Sequence, residues 1–301
     1  VGASYFKQKE ISSAEYQWAR EPVPGTGLAN GSSATPQGRL VFADPGAAIR
    51  CIGALARLHE TPQALPSMAD AGSALHLAAG TLSEQRSMAL LAEAGVPVVP
   101  HRLVRTAAEA AQAMQEMGGR MALKVCSDAI AHKSDVGGVA LNLADAAGAQ
   151  AAFDRILANA RQARPEARID GALAAPMVQG GVECIAGVHR DPVFGPVLMF
   201  GLGGIHAEIL RDVSLRLLPI TRDDALAMVR ELRACAVLDG ARGRPRVDLD
   251  SIADTLCALA GFAQRAGATL ESAEINPLIA RPREDGGCVA VDALVIGREA
   301  A

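Results

Sequence analysis

The sequence predicts a mixed fold of strands and helices, α+β or α/β, and three observations carry that expectation. From Leu82 onward, segments with the helical apolar period alternate with short apolar runs of strand length. Helix-capping residues and glycines punctuate the chain where one segment gives way to the next. Half of the 301 residues are hydrophobic and 21% are charged, which is material for one large domain or two to three small ones. No internal repeat of fixed period is visible.

Taken in order, residues 1–39 are unassigned and linker-like, with Glu21–Gly38 rich in Pro, Gly, Ser, Thr and Asn. Leu40–Phe42 has strand character. Asp44-Pro45 then reads as a cap and first helical position, ahead of a helical stripe of Ile49, Ile52, Leu55 and Leu58. Ser83 caps a helix ending at Gly95, and Val96–Val99 reads as a strand. Thr106 and Glu109 form a capping box for a helix ending near Gly118. Met121–Val125 and Gly138–Leu143 are strands around a polar loop, and Asp145 caps a helix to about Gln162. Strands follow at Gly171–Val178, Val182–Val188 and Leu198–Phe200, then helices opened by Thr221 and spanning about Ser251–Arg265. Ser272–Ile275 and Cys288–Asp292 are the last strands.

Composition narrows the function classes. The net charge is -4, from 29 basic and 33 acidic residues, which points to neither nucleic acid nor an anionic membrane. Aromatics make up 3%, too few for base-stacking platforms. None of the six cysteines forms a CxxC pair, so buried, reduced thiols in a cytoplasmic protein are expected. No apolar run is long enough to span a membrane. No signal peptide is visible, and the start at Val1 suggests a piece of a longer polypeptide.

Four features carry chemistry. Lys124 sits inside the apolar run Met121-Ala122-Leu123-Lys124-Val125. A lysine buried there needs an anion, for which a phosphate is suited; a lysine on the open face of an edge strand explains the same run. The loop that follows holds His132, Lys133, Gly137 and Gly138. The glycines permit close backbone approach to a phosphate, and His132 is a candidate nucleophile or acid/base; a solvated turn is the plain alternative. The cluster Gly201-Leu202-Gly203-Gly204 after an apolar strand suits phosphate but matches neither GxGxxG nor Walker A. Finally, strand alternation puts Glu274 and Asn276 on one face, with Asp292 in a later strand. Such oxygens suit Mg²⁺ carried in by phosphates, although strand-end polar residues also read this way.

Together, LKVCSDAIAHKSDVGGV, GVECIAGVHRDPVFGPVLMFGLGGIHAE, RDVSLRLLPI, EINPL and VDA resemble, in order and spacing, the ATP-grasp domain of NDP-forming acyl-CoA synthetases. These are the ADP-forming acetate–CoA ligases, relatives of the succinyl-CoA synthetase beta subunit. The resemblance covers about residues 80 to 298. It implies an ATP-grasp fold over 80–301, with subdomains of about 80–176 and 177–301 around a nucleotide cleft. Residues 40–79 would be the C-terminal end of a preceding CoA-ligase domain plus linker.

The resemblance also implies roles. Lys124 would hold ATP or ADP phosphates and His132 would accept a phosphoryl group. Met177 and Val178 would lie at the adenine hinge, with Glu183, Gly203, Gly204 and Glu208 lining the nucleotide site. Asn276 and Asp292, with Glu274 nearby, would ligate Mg²⁺. The implied reaction is acid + CoA + ATP ⇌ acyl-CoA + ADP + phosphate, through phosphohistidine. Its implied partners are CoA-binding and ligase domains of the same or another chain, in an oligomer, with CoA and a small carboxylic acid as substrates. Two departures stand out: Leu173–Met177 lacks a glutamine frequent in relatives, and His206 replaces an apolar or aromatic residue. The competing readings are a regulatory ATP-grasp module of a protein acetyltransferase and a carboxylate–amine ligase. The His132 loop argues against the latter, which needs no histidine carrier.

Overall fold

The computed structural model describes residues 73–130, 132–204, 212–243 and 245–299, together with the strands at 33–34 and 40–41. The chain divides into two compact units, one of Ala3–Ser67 and one of Met68–Ala301 with Val1–Gly2. In the first, β1 (Ser33–Ala34) pairs antiparallel with β2 (Leu40–Val41). The helix expected through Ile49–Leu58 lies outside the described residues.

The larger unit holds two sheets. The smaller has four antiparallel strands in the order β4 (Arg102–Val104), β7 (Gly171–Pro176), β5 (Met121–Cys126) and β6 (Val139–Leu143). Helices α2 (Ala107–Met117) and α3 (Ala146–Ala163) cover one face of it. Alternation along β5 sends Met121, Leu123 and Val125 into the helix-side cores. Lys124 therefore faces the other way.

The larger sheet runs β10 (Val213–Leu217), β9 (Gly195–Leu202), β8 (Val182–Asp191), β11 (Leu270–Ala280), β13 (Ala293–Gly297), β3 (Gly80–Thr81), with β12 (Val289–Ala290) also paired to β11. Its core packs Cys184, Ala186, Val188, Leu198, Phe200, Ala273 and Ile275 against α1 (Glu84–Glu93), α4 (Arg222–Arg230) and α5 (Leu249–Ala266). In α5 the buried stripe Ile252, Leu256, Leu259, Phe262, Ala263 and Ala266 keeps the helical spacing. Burying each large side chain contributes about 1.5–3 kcal/mol. Glu274, between two core residues of β11, points to the opposite face.

Three local expectations change. Val96–Val99 is no strand: Val98 makes a single bridge to Ala290, and the strand falls at Arg102–Val104 instead. Proline at positions 97 and 100 removes the amides that a continuing ladder would use. Thr106 caps α2 through Glu109 N, but the Glu109 carboxylate accepts from Arg105 N, so the box is not reciprocal there. Thr221 and Asp224 do form a reciprocal box. Asp292 lies between β12 and β13 rather than within a strand, and β13 and β10 are strands the sequence pattern did not reveal.

Candidate functional site

The helix-free side of β5 and the end of β12 meet at a compact charge cluster. Lys124 is 9% exposed, which its strand alone cannot explain. Its Nζ donates to Glu84 Oε1 at 3.0 Å, Asp292 Oδ2 at 3.1 Å and the Val291 carbonyl at 2.9 Å. A second ammonium, Lys133 Nζ, lies 2.9 Å from Glu84 Oε2 and 3.4 Å from Asp292 Oδ1. Two lysines and two carboxylates thus balance in charge, the condition under which buried ions are tolerated. Burial works against the Lys133 ammonium, but attraction to Asp292 and Glu84 outweighs it and raises its pKa.

Each member is placed by local structure. Glu84 is the first residue of α1, and Ser83 caps that helix by accepting from Arg86 N. Ser87, one turn on, accepts from Val295 N, which fixes α1 against β13. Asp292 is placed by its carbonyl, which accepts from Asn276 N at 3.1 Å. The Asn276 amide donates to Glu274 Oε1 at 3.2 Å, so the expected shared face of these two residues holds. Burial raises the Glu274 pKa, partly offset by that hydrogen bond.

The metal-ligating expectation fits the donor chemistry here. Asp292 and Asn276 supply hard oxygens, and the Asp292 side chain is 26% exposed. No cluster of three or more His, Cys, Asp or Glu suited to a metal occurs among the described residues.

The other candidates fall into two groups. Met177 and Val178 line a cavity of about 470 Å³ with Val99, Arg120, Arg281 and Asp285. Glu183 meets the glycine turn after β9: Gly203 N donates to its carbonyl at 2.7 Å, and a Cβ on Gly204 would lie 2.9 Å from its Oε2. Gly204 has φ +61°, so glycine is favoured there on both counts. Glu208 and His206 lie outside the described residues.

His132 is half-buried in the β5–β6 loop, beside Lys133. The loop glycines are not spread open for a phosphate: Gly137 N donates to Ser134 O and Gly138 N to Lys133 O. The close approach at Gly138 is to Val125, whose Cγ1 would lie 2.5 Å from an added Cβ. The sequence missed Glu84 altogether, because an acidic residue in a first helical turn is ordinary. Lys133 was visible as part of a polar loop, but nothing in the spacing linked it to Asp292.

Among the described cysteines, Cys126, Cys184 and Cys288 are buried free thiols. Burial holds Cys288 up at about 11, so it is protonated and unreactive at neutral pH.

The profile of the ATP-grasp domain family matches residues 73–296. Acetate–CoA ligase [ADP-forming] I of Archaeoglobus fulgidus is 42% identical over 205 residues, 68% of this chain but 29% of that protein. Acetate–CoA ligase [ADP-forming] I subunit beta of Pyrococcus furiosus is 40% identical over 215 residues, 71% of this chain and 91% of the subunit. The chain therefore spans less than a third of the first relative's length and nearly all of the second's. A solved structure of dinucleotide forming acetyl-coenzyme A synthetase 1 from Ca. Korarchaeum cryptofilum is similar at 36% identity and TM-score 0.61, over 72% of this chain and 93% of that one. That structure holds coenzyme A and Mg-AMPPCP, with a phosphohistidine segment pointing towards the nucleotide binding site.

Proposed function

The chain belongs to the ATP-grasp domain family, and on that premise we propose that it is the nucleotide-binding, phosphoryl-transferring part of an NDP-forming acyl-CoA synthetase. The observation that carries the reading is the Lys124–Asp292 pair, which joins the helix-free face of the small sheet to the candidate metal ligand of the large one. A phosphate chain with its cation would take over both partners, Lys124 donating to phosphate oxygens and Asp292 with Asn276 holding Mg²⁺. Bound Mg²⁺ supplies neutralisation of charge on the phosphate oxygens.

The hinge cavity supports the same orientation. Arg120 lines that cavity and Lys124 lies four residues along the same strand direction, about 13 Å at strand rise. This is on the order of the distance from a purine base to its terminal phosphates. Met177 and Val178 would therefore meet the base, with Glu183, Gly203, Gly204 and Glu208 along the nucleotide. His132 would take the phosphoryl group, an N–P bond forming as the terminal P–O bond breaks and ADP leaves with the electron pair. A carboxylate oxygen of the acid would then take the phosphoryl group as the N–P bond breaks, giving an acyl phosphate, and the coenzyme A sulfur would attack its acyl carbon with phosphate leaving, on ligase domains supplied by other parts of the assembled enzyme. Residues 40–79 would be the end of one such domain. A cytoplasmic location and an oligomeric assembly go with this reading; no helix among the described residues is long and apolar enough to cross a membrane.

Relatives bearing ligase names give the regulatory-module reading no support. The test is the complete ligase with ATP, CoA and a small carboxylic acid. Lys124→Met should abolish turnover, and label from the terminal phosphate of ATP should map to His132 in the wild-type protein. Wild-type turnover by Lys124→Met would sink the proposal.

A further inference from the structure

We propose that Glu84 is a positioning residue that ties the His132-bearing loop to Lys124. The inference rests on the nucleotide-site reading above and adds to it a residue from a third element. One carboxylate spans two lysines of different origin: Oε1 is 3.0 Å from Lys124 on β5, and Oε2 is 2.9 Å from Lys133 in the loop. The Glu84 side chain is 1% exposed, so water does not compete for either contact. Among the described residues, Lys133 is the cation within ion-pair distance of Oε2, as Lys124 is of Oε1.

The loop itself shows why this tether matters. Ser134 and Asp135, next to Lys133, are exposed, whereas the Lys133 side chain is 10% exposed. Lys133 thus turns inward between half-buried His132 and exposed Ser134. Side-chain hydrogen bonds also fasten the two ends of the loop. At one end Ala129 N donates to Ser127 Oγ, and at the other Asn159 Nδ2 donates to Gly137 O. In the middle, Gly137 N donates to Ser134 O and Gly138 N to Lys133 O, and the Lys133 ammonium adds the side-chain tie to Glu84 and Asp292.

Asp292 shares both lysines, but it is the more exposed carboxylate and the one a cation would claim. When Asp292 turns to a cation, Glu84 remains as the buried carboxylate between Lys124 and Lys133. The lysine facing the phosphates and the lysine beside His132 then stay in register. Glu84 touches neither nucleotide nor the phosphoryl group in this account; it acts through the two lysines.

The experiment combines hydrogen exchange of the β5–β6 loop without nucleotide, Mg-ADP calorimetry, and the rate of His132 phosphorylation by ATP in the complete ligase. Glu84→Gln should lower protection around residues 132–135 by about tenfold and slow His132 phosphorylation, with a much smaller change in Mg-ADP Kd. Lys133→Met should reproduce the exchange change, and the double variant should go no further than either single one. The Lys133 variant also keeps the question open to measurement should Glu84→Gln fail to fold. Unchanged loop exchange in a folded Glu84→Gln protein, or additive effects of the two substitutions, would overturn the proposal. Because exchange is measured without nucleotide, a wild-type chain that binds no Mg-ADP refutes the nucleotide reading separately from the tether.

Discussion

Lys124 is accommodated inside a strand because its side-chain nitrogen donates to two carboxylates and a carbonyl, and under the proposed function phosphate oxygens would take their place. Removing one member of such a buried set costs about 3–5 kcal/mol when the partner charge is left alone. Asp292 differs from Glu84 in exposure, and this separates their roles. Asp292→Asn keeps an oxygen donor and loses the charge that a hard cation prefers. Its expected effect is loss of the Mg²⁺-dependent part of ADP affinity by about tenfold or more, with metal-free ADP binding little changed. Calorimetry at stepped Mg²⁺ concentrations checks this; an unaltered Mg²⁺ dependence would remove Asp292 from the metal site.

Helix α5 supports the large sheet, and its first turn is held by Asp248, which accepts from Asp250 N and Ser251 N and pairs with Arg283 at 2.9 Å. The Arg283 hydrogen bond lowers the Asp248 pKa. Stability from this group is thus present above the ordinary Asp pKa of about 3.9 and is lost as pH falls through the lowered folded value. Asp248→Asn retains a capping side chain but loses the charge paired with Arg283, so near neutral pH it should be less stable than wild type, and Asp248→Ala, which also loses the cap, should cost about 1 kcal/mol for the cap alone. Denaturant unfolding at neutral and acidic pH should show the wild-type advantage over Asn shrinking in acid. In the β5–β6 loop, Gly138→Val should loosen the return to β6, because its Cβ would run into Val125. Proteolytic nicking within the loop reads this out, and resistance equal to wild type would show that the loop can yield.

Across the larger unit, most elements were legible where local chemistry alone decides them. Caps at Ser83, Asp145 and Thr221 and the apolar stripe of α5 needed no tertiary information. The strand β10 was not legible: Ser214 and Arg216 turn inward to Glu231, so its apolar residues Leu215 and Leu217 face outward. Within the site, Lys124, Asn276 and Asp292 stood out through their odd placement in apolar strands and through resemblance. Glu84 did not, because its significance depends on packing α1 beside β5 and β12, contacts separated by 40 and more residues.

The whole account turns on one cleft binding one ligand class. Calorimetric titration of this chain with ADP in the presence and absence of Mg²⁺, alongside the Lys124→Met variant, tests that most directly. The account predicts saturable, Mg²⁺-dependent binding to the wild-type chain and its loss in the variant. Absence of binding to a folded wild-type chain, or equal binding by Lys124→Met, would contradict it.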